Sequence, residues 1–454
     1  MAFSRFSEHS GAMPTIDNLI VGLGRTGLSV ARFLASRGHL FAVADNRLRP
    51  PGLEALRAQW PECELHLGEF DSTVFQRARR LIVSPGVALS TPKIKQARAK
   101  GAEILGDIEV FARENNAPVA AITGSNGKST VTTLLGEMAR QAGLNVAVGG
   151  NLGTPALDFL QIASLDLIVL ELSSFQLETC ESLASKAAVN LNISPDHLDR
   201  YASLDAYAAA KGRIYVHAER GVFNRQDLLA RKYLGNTEAP SFGLDAPPRD
   251  EDYGVMESRG EIYLVKGRAP LLPASQLRIK GSHNLANALA ALAMGASLGL
   301  PEDAMLTALR QFRGLPHRCQ WIGKRRGVDW FDDSKGTNVG ATMAAIKGLD
   351  GPLVLIAGGQ GKGQDFGPLR QVAQGRLRAV VLIGEAAAEI ESALEGVAPI
   401  LKAEDMREAV NHAAFYARSG DNVLLSPACA SFDMFRDYAA RGKAFFEAFE
   451  ELPA

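Results

Sequence analysis

Short apolar runs recur along the chain, each ending in glycine or a polar turn and each alternating with a pattern of helical period. Runs of four to six apolar residues closed by turn signals read as buried strands, and their alternation with helices reads as α/β with parallel sheets. In the first stretch the strands are expected at 19–22, 41–44 and 80–84, with a helix over 27–36. The polar sequence 113–117 is expected to be a linker. The second stretch opens with a strand at 118–123 and continues with strands at 165–171 and 187–193. Alanine-rich helices are expected at 129–141, 204–215 and 284–298. The Pro- and Gly-rich stretch 239–275 reads as hairpins and loops on the margin. The third stretch has strands at 328–332, 353–357, 379–383 and 422–425.

The 454 residues suit about three domains, and these patterns place them at 1–115, 116–313 and 314–454. The expected fold is α/β, with a mostly parallel sheet in each domain: Rossmann-like, then a central domain with a variant phosphate loop, then Rossmann-like again. Basic residues number 49 and acidic 50, which excludes the strong basic excess of a dedicated nucleic-acid binder. No apolar run approaches the roughly 18 residues of a membrane span. The polar opening MAFSRFSEHSGAMPTIDN lacks the apolar core of a signal peptide and is expected to be a tail. Cys63, Cys180, Cys319 and Cys429 lie more than 100 residues apart, which argues against a disulfide framework or zinc finger. A cytoplasmic, monomeric enzyme is the expectation, with no nucleic-acid or membrane partner.

Chemistry concentrates at the expected strand ends, where open parallel sheets hold ligands. Gly22-Leu23-Gly24-Arg25-Thr26-Gly27 follows a strand and opens a helix, and Asp45 ends the next strand 18 residues later. This spacing fits a nucleotide diphosphate on a helix N-terminus, or a tight turn without ligand. TGSNGKST, Thr123–Thr130, also lies between strand and helix. Its glycines and N–H groups suit phosphate oxygens, Lys128 the terminal phosphates, and the Ser129 hydroxyl Mg²⁺. Ile122 stands where the common phosphate loop has glycine, so the loop is a variant. Glu171, and His197 after the next strand, are candidate metal groups; a surface acid and a hydrogen-bonded imidazole are the alternatives. Lys211 by itself reads as a solvated helix lysine. Asn284 suits either a nucleobase contact or a helix N-cap. Asp333-Ser334-Lys335-Gly336-Thr337, Gly361-Lys362 and Ser426–Phe432 converge at strand ends of the third stretch and suit a small polyanion. Cys429 reads as a small buried residue rather than a nucleophile.

In this order TGSNGKST, ELSSFQLE, NISPDHLDRY, GSHNLANALAA and GLPHRCQ resemble the Mur ligases, the ATP-dependent amino-acid ligases of peptidoglycan precursor synthesis. The resemblance runs over all but the first fifteen or so residues. VGLGRTGLS, DDSKGTN and LLSPACASFDMF look most like the branch adding D-glutamate to UDP-N-acetylmuramoyl-L-alanine. The resemblance implies ATP and Mg²⁺, with Gly124, Ser125, Asn126, Gly127, Lys128, Ser129, Thr130, Asn284, Asn287, Arg318 and Asp333 on ATP. It implies Ser129, Glu171, His197 and Lys211, the lysine as a carbamate, around two magnesium ions, and catalytic roles for Lys128, His197 and Lys211. It places Gly24, Arg25, Thr26, Asp45, Asn46, Arg47, Ser84, Gly86 and Asn151 along the UDP-linked substrate. Lys335, Thr337, Lys362, Ser431 and Phe432 would receive glutamate. Two departures bear on amino-acid selectivity: Gly336 replaces an expected alanine, and Gln360 a common acidic residue. L-glutamate as substrate, a folylpolyglutamate synthase and an NAD-dependent oxidoreductase are the competing readings.

Overall fold

The computed structural model describes residues 15–197, 200–235, 238–279 and 281–453. The expected N-terminal tail and two residues of the DHLDRY motif, Leu198 and Asp199, therefore lie outside the described residues, the tail up to residue 14. The chain divides into two compact units. One holds the described residues through Asn116, with Gly149–Ser164 and Ser174–Leu183; the other holds Ala117–Val148, Leu165–Ser173 and the described residues from Ala184 onward.

In the first unit, β1 (Ile16–Val21), β2 (Ala42–Asp45), β3 (Glu64–Leu67), β4 (Ala78–Val83) and β5 (Glu103–Leu105) form one sheet in the order β3-β2-β1-β4-β5. Each neighbouring pair is parallel. A reversal of strand order at β1 is the switch point where such sheets open a ligand crevice, and it puts the glycine turn after Val21 there. Leu19, Val21, Ala44, Leu81 and Val83 are buried in this unit's core, as parallel strands covered on both faces require.

A second sheet runs β14-β13-β12-β11-β10-β9-β6-β8-β7. Its strands are β6 (Val119–Thr123), β7 (Val146–Gly150), β8 (Leu167–Glu171), β9 (Ala187–Asn190), β10 (Gly221–Asn224), β11 (Ser241–Phe242), β12 (Tyr253–Ser258), β13 (Glu261–Lys266) and β14 (Ala269–Pro273). β6 pairs parallel with β8 on one side and β9 on the other, so Thr123, Glu171 and Asn190 end on one edge. The marginal stretch 239–275, expected as hairpins and loops, holds the antiparallel meander β12-β13-β14, while its first strand, β11, pairs parallel with β10 and β12.

The third sheet runs β15-β16-β20-β17-β18-β19, with β15 (Gln320–Arg325), β16 (Val328–Asp332), β17 (Leu353–Gly358), β18 (Leu377–Ile383), β19 (Ile400–Lys402) and β20 (Asn422–Leu425). It is parallel except for the hairpin β15-β16. Three sheets, mostly parallel, match the expected α/β architecture.

Boundaries moved where local geometry intervened. The helix Asp107–Glu114 runs into the expected linker. β9 stops at Asn190, because the following residues turn back to brace the phosphate loop. The helix from Leu204 ends at Gly212 and tightens into a 3₁₀ turn, Arg213–Tyr215. Asn284 is not a cap: Gly281 precedes the helix Ser282–Ser297, and Asn284 lies in its first turn. Short elements such as β3, β5, β15 and β19 carry too few apolar residues to be visible in the pattern.

Candidate functional site

TGSNGKST forms a braced arc between β6 and the helix Lys128–Gln141. Gly127 has φ 83°, and a Cβ there would fall 2.3 Å from Asn287 Oδ1, so both backbone and space demand glycine. The loop is held from behind by the segment after β9. Ser125 N–H donates to the Asn192 carbonyl (2.8 Å) and Asn126 N–H to Asn192 Oδ1 (2.9 Å). Asn192 Nδ2 returns a bond to the Asn126 carbonyl (3.0 Å), and Ser194 N–H donates to Ser125 Oγ (2.9 Å). The helix start has no side-chain cap, which leaves its N–H groups to a phosphate. Lys128 Nζ lies inside the arc, donating to Gly124 O (2.8 Å) and Ser125 O (2.9 Å). Burial lowers its pKa, opposed by Glu171 and Asp196.

Oxygen ligands gather beside it. Ser129 Oγ donates to Glu171 Oε2 at 2.5 Å, and Arg318 Nη2 donates to Ser129 Oγ at 2.6 Å. Ser129 and Glu171 are both buried. A hydroxyl and a carboxylate side by side fit Mg²⁺, which keeps several waters and takes its remaining ligands from phosphates. Lys211 is 2% exposed, with Nζ donating to Gly124 O (2.9 Å) and Thr123 Oγ1 (3.3 Å) above the Tyr207 ring. Burial, reinforced by Lys128, holds its pKa well below that of a free lysine. Lys211 is thus not the solvated helix lysine of the bare sequence reading, because its helix packs against the loop. His197 has a left-handed backbone, φ 55°, and its ring Nε2 lies 3.7 Å from Asp196 Oδ2. Among the described residues no three His, Cys, Asp or Glu side chains cluster around a common point.

Residues of the third sheet meet the loop within the same unit. Asn338 and Asn126 exchange amide hydrogen bonds (3.4 and 3.2 Å), and Asn338 Nδ2 also donates to Asp196 Oδ2 (3.4 Å). Lys362 Nζ bridges to Asp196 Oδ1 at 3.3 Å. Between them lies a cleft of about 310 Å³ lined by Asn126, Gly127, Thr130, Asn284, Asn287, Arg318 and Asp333, seven of the residues expected on ATP. Lys335 also borders it. Asn287 Nδ2 donates to Asn284 Oδ1 (3.2 Å), which orients the pair. Burial pushes the Asp333 carboxyl up to about 7, against hydrogen bonds from Ser426 Oγ (2.7 Å) and Cys319 N–H (3.1 Å). Asn192, Ser194, Asp196 and Asn338 had no assigned role; they sit inside quoted motifs, but their partners are 66 to 212 residues distant.

Three strand-end loops of the third sheet carry the residues expected on glutamate. The Lys335 ammonium lies 4.0 Å from the centre of the Tyr438 ring, and burial with nearby Arg318 and Lys128 brings its pKa down to about 8. Thr337 N–H donates to the Lys335 carbonyl (2.8 Å). Ser431 is buried, and Phe432 is 69% exposed. The Gly336 departure has a local cause: a Cβ would fall 2.5 Å from Asp333 Oδ2. At Gln360 the backbone is what matters, exchanging bonds with Ala430 at 2.9 and 3.0 Å. Cys429 is fully buried and its thiol is pushed up to about 12, consistent with packing rather than nucleophilic use.

In the first unit, Gly22 and Gly27 close the turn after β1; a Cβ on Gly27 would collide with the Gly22 carbonyl at 2.1 Å. The buried Asp45 accepts from Leu23 N–H (2.7 Å), from Arg47 N–H (2.9 Å) and from the Arg47 guanidinium. Asp45 therefore clamps the glycine turn and positions Arg47. Ser84 Oγ donates to the Gly22 carbonyl (3.0 Å), and Arg25 bonds the Gly153 carbonyl. Gly24 and Gly86 leave open space where a Cβ would stand. Thr26 is half-buried, and Asn46 and Asn151 are exposed. Asp158, absent from the sequence reading, accepts from Ser29 Oγ (2.7 Å) and pairs with Arg32 (2.8 Å).

Three family models match the chain in succession: the Mur ligase MurD-like N-terminal domain over residues 17–106, the Mur ligase middle domain over 122–295, and the Mur ligase glutamate ligase domain over 317–429. The chain is 56% identical over 438 residues to the UDP-N-acetylmuramoylalanine--D-glutamate ligase of Nitrosococcus oceani, covering 96% of each. It is 53% identical over 435 residues to the enzyme of that name from Pseudomonas putida, covering 95% of this chain and 96% of the other. Among solved structures it resembles a pseudomurein peptide ligase type C from Methanothermus fervidus, with a TM-score of 0.61 and 19% identity over 96% of this chain and 100% of the other. At that identity the likeness speaks for the fold alone. Loop, cleft and sequence agree that this chain belongs to the Mur ligase family.

Proposed function

We propose that the chain is an ATP-dependent amide ligase that adds D-glutamate to UDP-N-acetylmuramoyl-L-alanine. The observation carrying this reading is the chain's 56% identity, over nearly its whole length, to a ligase named for that reaction. The cleft supports it, since a phosphate loop on one sheet faces Lys335 on another. The proposed domains are 1–115 for the UDP-linked substrate, 116–313 for ATP and 314–454 for the amino acid.

A carboxylate is a poor acylating agent, so the substrate's carboxylate oxygen attacks the γ-phosphorus of ATP, forming an acyl phosphate and ADP. The amine of D-glutamate attacks that carbonyl, phosphate leaves, and the amine's proton passes to solvent or a nearby base. Gly124–Ser129 hold the phosphates, and the Lys128 ammonium meets the charge that builds on the transferring group. Ser129, Glu171, His197 and a carbamylated Lys211 would hold Mg²⁺, whose contribution is charge neutralisation on the phosphates. Asn284, Asn287, Arg318 and Asp333 hold adenosine. Gly24, Arg25, Thr26, Asn46, Arg47, Ser84, Gly86 and Asn151 line the UDP-linked substrate, with Asp45 behind Arg47. A cytoplasmic location and a monomeric state are part of this proposal. Among the described residues no helix is long and apolar enough to cross a membrane.

Phosphate release should require ATP, UDP-N-acetylmuramoyl-L-alanine and D-glutamate together, and L-glutamate should not replace the D-isomer. Release with folate substrates, or equal use of both isomers, would overturn this assignment.

Lys335 and Lys362 are proposed to hold the two glutamate carboxylates, with Thr337, Ser431 and Phe432 completing the pocket. Replacing either lysine by Ala should raise the glutamate KM by about 10- to 100-fold with little change for ATP. Because the Lys335 ammonium titrates at about 8, the glutamate KM should climb as pH rises above 8, and Lys335→Arg should remove that rise. A pH-independent KM would detach Lys335 from the substrate.

A further inference from the structure

Helix Tyr438–Glu450 carries a cation that the reaction does not use directly. Arg441 is 0% exposed. A guanidinium has five N–H donors, and here all are spent on loop groups. Nε donates to Ser334 Oγ (3.0 Å), and Nη2 to Ser334 O (2.8 Å) and Cys429 O (3.1 Å). Nη1 donates to Ala430 O (3.2 Å) and, at 3.5 Å, to Gly358 O. The three segments reached lie at the ends of β16, β17 and β20 and lead to Lys335, Lys362 and Ser431. Ser334 and Ala430 directly precede Lys335 and Ser431, while Gly358 starts the turn to Lys362.

We propose that Arg441 is a positioning residue for the amino-acid substrate: its planar fork sets the mutual register of the three loops that receive glutamate. This rests on the ligase reading above. Neighbouring residues are shaped around the fork. A Cβ on Gly359, at φ 127°, would fall 2.2 Å from the Ala430 carbonyl and 3.1 Å from Arg441 Nη1, so the loops close only on glycine. Ser334 Oγ donates to the Tyr438 carbonyl (2.8 Å), and the Tyr438 ring supports the Lys335 ammonium. Gly442 lets the helix lie against the pair formed by His317 Nδ1 and Asp332 Oδ2, 2.6 Å apart. A buried cation with carbonyl partners is costly relative to an apolar filler of equal size. It is suited to holding oxygens in one plane and to giving a pocket for two carboxylates a positive floor. Burial brings its pKa down to about 10, so it stays charged at neutral pH. Lysine keeps the charge but not the fork.

Arg441→Lys and Arg441→Met are assayed for KM toward D-glutamate and ATP, alongside thermal unfolding. The glutamate KM should rise about 10-fold in Arg441→Lys and about 100-fold in Arg441→Met, with the ATP KM changed less than about 3-fold. Parallel rises in both KM values, or none, overturn the proposal, because a mere strut would not single out one substrate. If Arg441→Met does not fold, Ser334→Ala, which removes one acceptor of the fork, should raise the glutamate KM about 3- to 10-fold at constant ATP KM; an unchanged value overturns it equally. A wild type that does not turn over D-glutamate overturns the ligase reading, and this proposal with it. An active wild type with unaffected variants overturns only the role of Arg441.

Discussion

Lys128→Ala is expected to lower phosphate release by about 10³-fold or more, a loss of about 4 kcal/mol of transition-state stabilisation, while the protein stays folded. Among the described residues, Lys128 Nζ bonds only to carbonyls of its own loop, Gly124 and Ser125. The side chain is partly exposed at the start of its helix. The arc itself is braced by Asn192 and Ser194, so deleting the ammonium removes charge from the phosphate position without dismantling the cradle. Turnover and nucleotide affinity should be measured on the same preparation, with unfolding midpoints compared. Near-normal phosphate release by folded Lys128→Ala would detach the loop from ATP.

Carbon dioxide removal is expected to lower activity reversibly by about 10-fold or more, on the scale of losing a ligand or supporting group at a metal site, and Lys211→Ala should be inactive. The family resemblance puts a carbamate at Lys211. An ammonium would repel magnesium, whereas addition of CO₂ to the neutral amine releases a proton and leaves two acceptor oxygens. The environment suits that exchange: Lys211 is buried against the phosphate loop, and burial together with Lys128 favours its neutral form. Lys211→Ala also loses the bonds to Thr123 and Gly124, so inactivity alone does not distinguish ligand from brace. ¹³C-bicarbonate does. Wild-type enzyme should show a carbamate carbon resonance that is absent in folded Lys211→Ala; active enzyme without the resonance rules the carbamate out.

Much of this protein is written locally. A strand followed by glycine and then a helix needs only neighbours in sequence, so both glycine turns and the P-loop variant were legible from spacing. So were β16 and β20, at the bounds expected from their apolar runs. The resemblance named which residues to collect around ATP, and seven of them line one cleft. Sequence could not say how those groups are spent. Asp45, read as a ligand residue, has both oxygens engaged by Leu23 and Arg47, because the turn brings backbone N–H groups onto a strand-end carboxylate. Lys211, bland on an alanine-rich helix, became a buried amine once that helix packed under the loop. Asn126 meets Asn338 across 212 residues, and Arg441 gathers three loops from 11 to 107 residues away. Hydrogen bonds of that range carry no periodicity, since their partners are set by strand order and by the approach of one sheet's edge to another. Sequence by itself thus determined the longer elements, the glycine turns and the family. Only the tertiary structure decided which polar groups are desolvated and shared, because desolvation depends on what packs above a residue rather than on what precedes it.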